Sequence, residues 1–501
     1  MDVKTAFQTF RLAEQRLDAL SHAGGVLYYD GSTVAPSASA NHRGMTLSYL
    51  SELSYGIATS SEVCSAVDYL LEHIDELDEV QAREVKLFNK EREYMQSIPI
   101  EKYTAYTMLC NESSAVWHDA KLANDYASFA PYLQRLIDTK IEFAHYYKPD
   151  KAPYDVMLDS HEEGLDTESA DRFFGAVKAE VVPLIGEVLK QPEIDSSFLT
   201  GDFDIAKQRV LTDFVMRFEG LDPKRCICGE TEHPFTTNFT TDDVRITTHY
   251  YPESFAFSMY SVAHEGGHAL YELGIAPEYN RTSLAGGVSM GIHECQSRFF
   301  ENIICRSRAF CDYVFPTVSA LFGKQFENVT PDMFYRAINK AEPSLIRTEA
   351  DELTYPLHIL IRYEIEKEIM AGNVKVCDLP ELWNAKYKEY LGVDVPDDTH
   401  GILQDMHWSD GSFGYFPSYA LGSAYGAQIL DTMQKTVDVY GAVGRGDITP
   451  VSDWLHEHIW QYGCARTPER LLKDSVGAAF DPHFYTDYLG KKFREIYNIN
   501  A

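Results

Sequence analysis

Apolar positions recur at three- and four-residue spacing among many Glu, Lys and Arg over residues 5–20, 61–95 and 116–147, a pattern that predicts long amphipathic helices. Further helical patterns run over 254–273, 288–310, 343–371 and 418–439, with glycine-rich breaks at Gly286-Gly287 and from Gly401 to Gly414. Tyr29-Asp30 to Pro36 and Asp150 to Gly164 read as loops. The texture changes between Gly229 and Tyr251. There Thr, Phe, Val, Ile and Tyr crowd two short runs on either side of Thr241-Asp242-Asp243, which is a β-hairpin signature. The expected fold class is therefore mostly α, with one small β-sheet or hairpin.

Composition narrows the partners. The 501 residues carry 44 Lys+Arg against 76 Asp+Glu, a net charge of −32. Nucleic acid and anionic membrane surfaces are disfavoured, because binding either rests on a basic footprint. No stretch reaches the roughly 18 consecutive apolar residues of a membrane helix. At the amino terminus, Asp2, Lys4 and Arg11 interrupt the apolar core a signal peptide needs, so export by that route is not expected. Nine cysteines, an odd number, fit reduced thiols in a cytoplasm better than a disulfide framework. The close pair Cys226-Ile227-Cys228 lacks a second pair at zinc-ribbon spacing and reads as structural. Length alone suggests about three domains. No linker or repeat divides the chain, however, and the motifs below spread widely enough to favour one catalytic domain over 1–501, with 1–225 as mainly helical wall and 226–501 carrying the chemistry.

That chemistry centres on His264-Glu265-Gly266-Gly267-His268. On a helix, residues four apart stand one turn above each other, so His264 and His268 can hold one metal while Glu265 faces an attacking water. Two glycines inside a helix cost about 1 kcal/mol each relative to alanine, which makes sense if another backbone or a substrate must approach closely. A catalytic zinc needs a third protein ligand. Glu294, 26 residues after His268, can reach the metal if the two helical segments pack antiparallel; the alternatives are a solvated helix face or an ion pair with Arg298.

His264-Glu265-x-x-His268 followed by His293-Glu294-x-Gln296 resembles the carboxypeptidase Taq family of HEXXH zinc metallocarboxypeptidases. The resemblance extends to His233-Pro234-Phe235, Asp243-Val244-Arg245-Ile246-Thr247, Ile346-Arg347-Thr348-Glu349-Ala350-Asp351, Gly401 through Trp408 (family G-x-x-Q-D-x-H-W) and Gly414-Tyr415-Phe416-Pro417. A weaker likeness around Tyr29-Asp30, Pro36 and Arg43 carries it over nearly the whole chain. Cys295 stands where the family usually has Ser or Thr, and Tyr29 where it has Trp. The resemblance implies a large helical single-body fold with a deep groove, a homodimer, and release of C-terminal residues from peptides with a free C-terminus.

Residue roles follow. Zinc on His264, His268 and Glu294 is the expected cofactor, although cobalt or manganese suits the same donors. Glu265 is the expected base. Holding a terminal carboxylate requires a cation, and the planar fork of Arg suits it. Arg347 is the first candidate, or else an ordinary helix pair with Asp351. Arg245 is the second, or else a structural pair with Asp243. By family likeness His407 and Tyr415 donate to the oxyanion, against the plainer readings of a core histidine and a packed tyrosine; Asp405, Tyr419 and His233 are further substrate-binding candidates. The rival readings are an endopeptidase or oligopeptidase with the same metal site, and a non-catalytic peptide- or metal-binding protein. In so acidic a chain a carboxylate-bearing substrate meets repulsion, so Arg347 and Arg245 are expected to form a local positive spot.

Overall fold

The computed structural model describes residues 1–499, and twenty α-helices and one three-stranded sheet make up the architecture of these residues. The first helix runs longer than its periodicity, over Val3–Thr33, with Asp2 capping it by accepting from the Thr5 N–H at 2.7 Å. It takes in Tyr29 and Asp30, so the expected loop shrinks to the residues after Thr33. Two other long patterns are each divided by a cap. The pattern over 61–95 splits into Ser61–Glu72 and Glu79–Ser97, the second opened by a reciprocal Asp78–Gln81 capping box. That over 116–147 breaks at Asn124, in the left-handed region at φ 54°, into Ile100–Ala123 and Tyr126–Tyr147. Within 150–164, Pro153 at the first helical position starts a short helix, Pro153–His161.

The hairpin is present as β2 (Thr236–Thr240) antiparallel to β3 (Asp243–Thr248). A further strand, β1 (Cys226–Glu230), pairs parallel with β3, giving the order β1-β3-β2. Val244 and Ile246 of β3 and Cys226 of β1 are buried in the main core. That core is one continuous cluster from Leu109 to Tyr497. A smaller cluster (Phe10, Val67, Leu70 and Val85 among others) joins the amino-terminal helices to one another.

Inside that smaller layer, Glu14 and Glu84 are both buried. Glu14 Oε1 accepts from the Ser283 N–H at 2.8 Å and hydroxyl at 2.6 Å, and Glu84 Oε2 accepts from Arg11 at 2.8 Å. Glu14 thus ties the first helix to the loop around Ser283, while Glu84 ties two amino-terminal helices to each other through Arg11. No described helix is long and apolar enough to cross a membrane.

Candidate metal centre and substrate anchor

The helix Phe255–Gly274 carries His264, Glu265 and His268, and the helix Met290–Arg298 carries Glu294. The two pack closely because of Gly267. A Cβ there would meet the Gln296 carbonyl oxygen at 2.5 Å and the Ser297 Cα at 2.8 Å. Gly266 has a different reason, since a Cβ would run into the buried Glu219 carboxyl. On the other side of the second helix, Gly422 of the helix Pro417–Met433 lets Glu294 and Cys295 come close in the same way.

This packing gathers one donor atom each from His264, His268 and Glu294 within 4.8 Å of one another. Glu294 Oε2 lies 3.7 Å from His264 Nε2 and 3.5 Å from His268 Nε2. Tetrahedral bonds of about 2.0–2.2 Å place donors about 3.3–3.6 Å apart, so these residues fit a divalent metal. Their outer atoms are held as well. His264 Nδ1–H donates to Glu301 Oε2 at 2.9 Å, leaving the Nε2 lone pair free for a metal. Glu294 accepts from Arg298 Nε at 2.8 Å and from the Ser297 hydroxyl at 3.2 Å, so it makes both the ion pair and the approach to the histidines. Burial works against the Glu294 charge, but Arg298 and His264 outweigh it and keep the carboxyl well below the usual range. His268 is pushed down to about 3, first by burial and then by His293.

Glu265 is buried, and burial raises its pKa. Its Oε2 accepts from the Thr236 hydroxyl of β2 at 2.6 Å, and the same hydroxyl reaches the Glu265 carbonyl at 3.0 Å. Sequence reasoning did not single out Thr236 or Glu301 as holding the site, and offered Arg298 only as an alternative to metal binding by Glu294.

A second cluster surrounds Arg347. The helical pattern over 343–371 begins as a 3₁₀ turn at Arg347–Glu349, and the α-helix starts only at Tyr355. Arg347 consequently has no helical neighbour at Asp351. Its Nε and Nη2 donate to Asp405 Oδ1 at 3.0 and 2.8 Å, and its Nη1 to the Tyr355 hydroxyl at 3.3 Å. Arg362, fully buried, donates to Asp405 Oδ2 at 2.6 Å. Burial would raise the Asp405 carboxyl, but the two guanidiniums hold it far below its ordinary value. Two cations share one carboxylate, so the cluster keeps a net positive charge.

Tyr355 links the two clusters. The Arg298 guanidinium that holds Glu294 lies 4.4 Å above its ring, while its hydroxyl meets Arg347. Tyr415 and Tyr419 feel the charges of both Glu294 and Arg347. His407 stands beside them, its Nε2 3.4 Å from the Tyr419 hydroxyl and its Nδ1 buried with no partner among the described residues. Its pKa is pushed down to about 4 by burial, against the pull of Asp405.

The remaining candidates lie on the sheet side. Arg245 donates twice to Asp243, at 2.9 and 2.8 Å, and its guanidinium lies over the rings of Phe239 and Tyr29 at 4.7 and 5.1 Å. His233 is exposed in the connection between β1 and β2.

The family model for the carboxypeptidase Taq (M32) metallopeptidases matches residues 9–493. Carboxypeptidase 1 of Bacillus subtilis is 38% identical, over 99% of this chain and 100% of its own length. Thermostable carboxypeptidase 1 of Pyrococcus furiosus is 32% identical over 96% of each. The crystal structure of an M32 carboxypeptidase from Deinococcus radiodurans superimposes with a TM-score of 0.96 at 34% identity, covering 99% of this chain and 100% of that one.

Proposed function

The chain belongs to the carboxypeptidase Taq (M32) family of metallopeptidases and is a metallocarboxypeptidase, and we propose that it removes C-terminal residues one at a time using zinc held by His264, His268 and Glu294. The observation that carries the residue assignment is the convergence of those three donors within 4.8 Å of one another beside the tethered carboxyl of Glu265.

Zinc, when bound, supplies a Lewis acid for the scissile carbonyl and for the attacking water. Glu265 takes the proton of that water on Oε1, since Oε2 is committed to Thr236, and passes it to the leaving amine. Neutral His407 and the Tyr415 hydroxyl, with Tyr419 behind them, donate to the oxyanion as it develops. Arg347 receives the terminal carboxylate. Asp405 and Arg362 keep its guanidinium plane fixed, and the shared charge leaves it attractive to an anion. Arg245 is neutralised by Asp243, so its role, like that of the exposed His233, is a weaker contact with the far part of the peptide.

One catalytic body is supported by the continuous core from Leu109 to Tyr497 and by the hydrogen bonds from Ser283 to Glu14 that fasten the separate amino-terminal cluster to it. Nine free thiols support a reducing cytoplasm. A second copy of the chain is supported by the helix Ala40–Ala58, which buries only Ala58 and exposes Met45, Tyr49 and Leu53 along one stripe.

A peptide pool with free C-termini and its carboxyl-amidated twin test the reading together. Stepwise loss from the free peptides, near inertness of the amides and loss of activity with a chelator are expected. Glu265→Gln is expected to bind zinc normally and lose about 10²–10⁴ in turnover. Equal cleavage of the amidated pool overturns the Arg347 anchor and leaves an endopeptidase.

A further inference from the structure

His293 precedes a proposed ligand yet takes no part in the reaction described above. Its Nε2 lies 2.7 Å from Glu272 Oε1. That carboxylate also accepts from the Gly287 N–H at 3.0 Å and from Asn238 Nδ2, on β2, at 2.6 Å. A carboxylate collecting donors in this way takes the His293 proton on Nε2, and a neutral imidazole then presents a lone pair at Nδ1. Facing that lone pair, at 2.5 Å, is Nδ1 of His268. Two ring nitrogens in contact need one proton between them, and placing it on His268 Nδ1 is the arrangement that matches a neutral His293. The Nε2 of His268 is thereby left bare and turned toward His264 and Glu294.

We propose that Glu272 and His293 are positioning residues which, with Asn238 behind them, fix the tautomer and ring plane of His268 so that its Nε2 is presented to a metal. The inference rests on the metal reading of His264, His268 and Glu294. The two histidines are served differently: His264 leans directly on Glu301, whereas a neutral ring separates His268 from its carboxylate. That spacer holds His268 without placing another negative charge against the site, which preserves the electrophilic character a peptide carbonyl requires. Gly287 is the space this arrangement needs, since a Cβ there would lie 2.5 Å from His293 Cδ2. Asn238 and Thr236 are two apart on β2, so one face of one strand serves both the relay and the base.

The test uses the full-length protein stripped of metal. Nitrogen-15 spectra of the wild type are expected to show His268 as the Nδ1–H tautomer, and an Nε2–H tautomer overturns the proposal whatever the variants do. Zinc affinity is then measured by competition with a chromogenic chelator. His293→Phe, which keeps a ring but no donor or acceptor, is expected to weaken zinc binding about 10–100-fold, while His293→Gln, with one of each, recovers to within about threefold. A His293→Phe variant that binds zinc as tightly as wild type also overturns it. Wild type that shows the Nδ1–H tautomer but binds no zinc refutes the metal reading instead.

Discussion

Glu265 has one oxygen tied to Thr236 and one left over, an asymmetry that decides which atom is available for proton transfer. Removing the tie while keeping the shape, in Thr236→Val, is expected to lower kcat roughly tenfold or more, the order set by losing a hydrogen bond to a charged group. Zinc affinity should stay unchanged, and steady-state kinetics beside a chelator titration separate the two. At this scale the sequence exposes residues whose chemistry repeats locally. His264, Glu265 and His268 stand within one helical turn, and Glu294 is reachable by a spacing argument. Thr236 is one of several threonines in a strand-like run, and Glu301 acts across 37 positions, so neither carries a local mark. Arg347 illustrates the same limit. Its partner is Asp405, 58 positions away, because the helix that would have offered Asp351 has not yet begun.

Between elements, glycine is the determinant. Gly267 and Gly422 press the helix Met290–Arg298 from two sides, and each excludes a methyl group by contact with backbone or Cβ atoms. Gly422→Ala is expected to destabilise the fold by about 1–3 kcal/mol through overpacking and to weaken zinc binding by displacing Glu294. A thermal melt with and without zinc reads both. The need for close approach was legible in the cost of Gly266-Gly267; which neighbour approached was not. The helix boundaries show the reverse. Periodicity carried 61–95 and 116–147 straight across caps at Asp78 and Asp125 that the sequence does contain, because apolar positions resume at three- and four-residue spacing just beyond each cap. Strand β1 escaped for want of signal, as five residues with two cysteines and a glycine alternate too briefly to be told from a loop.

Over the whole molecule, the excess of acid is managed in part by sharing protons. Glu84, buried against Glu14, is raised to about 9, by burial first and then by its neighbour. Its folded pKa exceeds the unfolded value near 4.5, so the folded chain holds a proton the unfolded chain has released across that interval. Its stabilising contribution is complete below about 4.5 and is lost as pH rises toward about 9. Glu84→Gln, which keeps a neutral donor toward Glu14, is expected to flatten the fall in Tm over that range, and melts across a pH series check it. The general architecture was legible, since the helices and the hairpin follow from periodicity and composition. The protonated carboxyl pair was not, for Glu14 and Glu84 are ordinary members of polar helix faces until two layers meet.

The contact between Gly422 and Glu294 also has a bearing on the order in which the chain assembles. They are 128 positions apart (422 − 294), and closing a loop of that length costs about 4 kcal/mol in chain entropy before any contact rewards it. The sheet lies within residues 226–248 and the histidine helix follows directly, so that half of the site can form early. The other half waits for the distant helix. If Glu294 is seated only by that contact, a metal ion meets a nearly finished protein and is expected to act as a brake on unfolding rather than as a nucleus. Zinc is expected to slow denaturant-induced unfolding while leaving the refolding rate of the metal-free chain unchanged, as stopped-flow fluorescence of its five tryptophans would report.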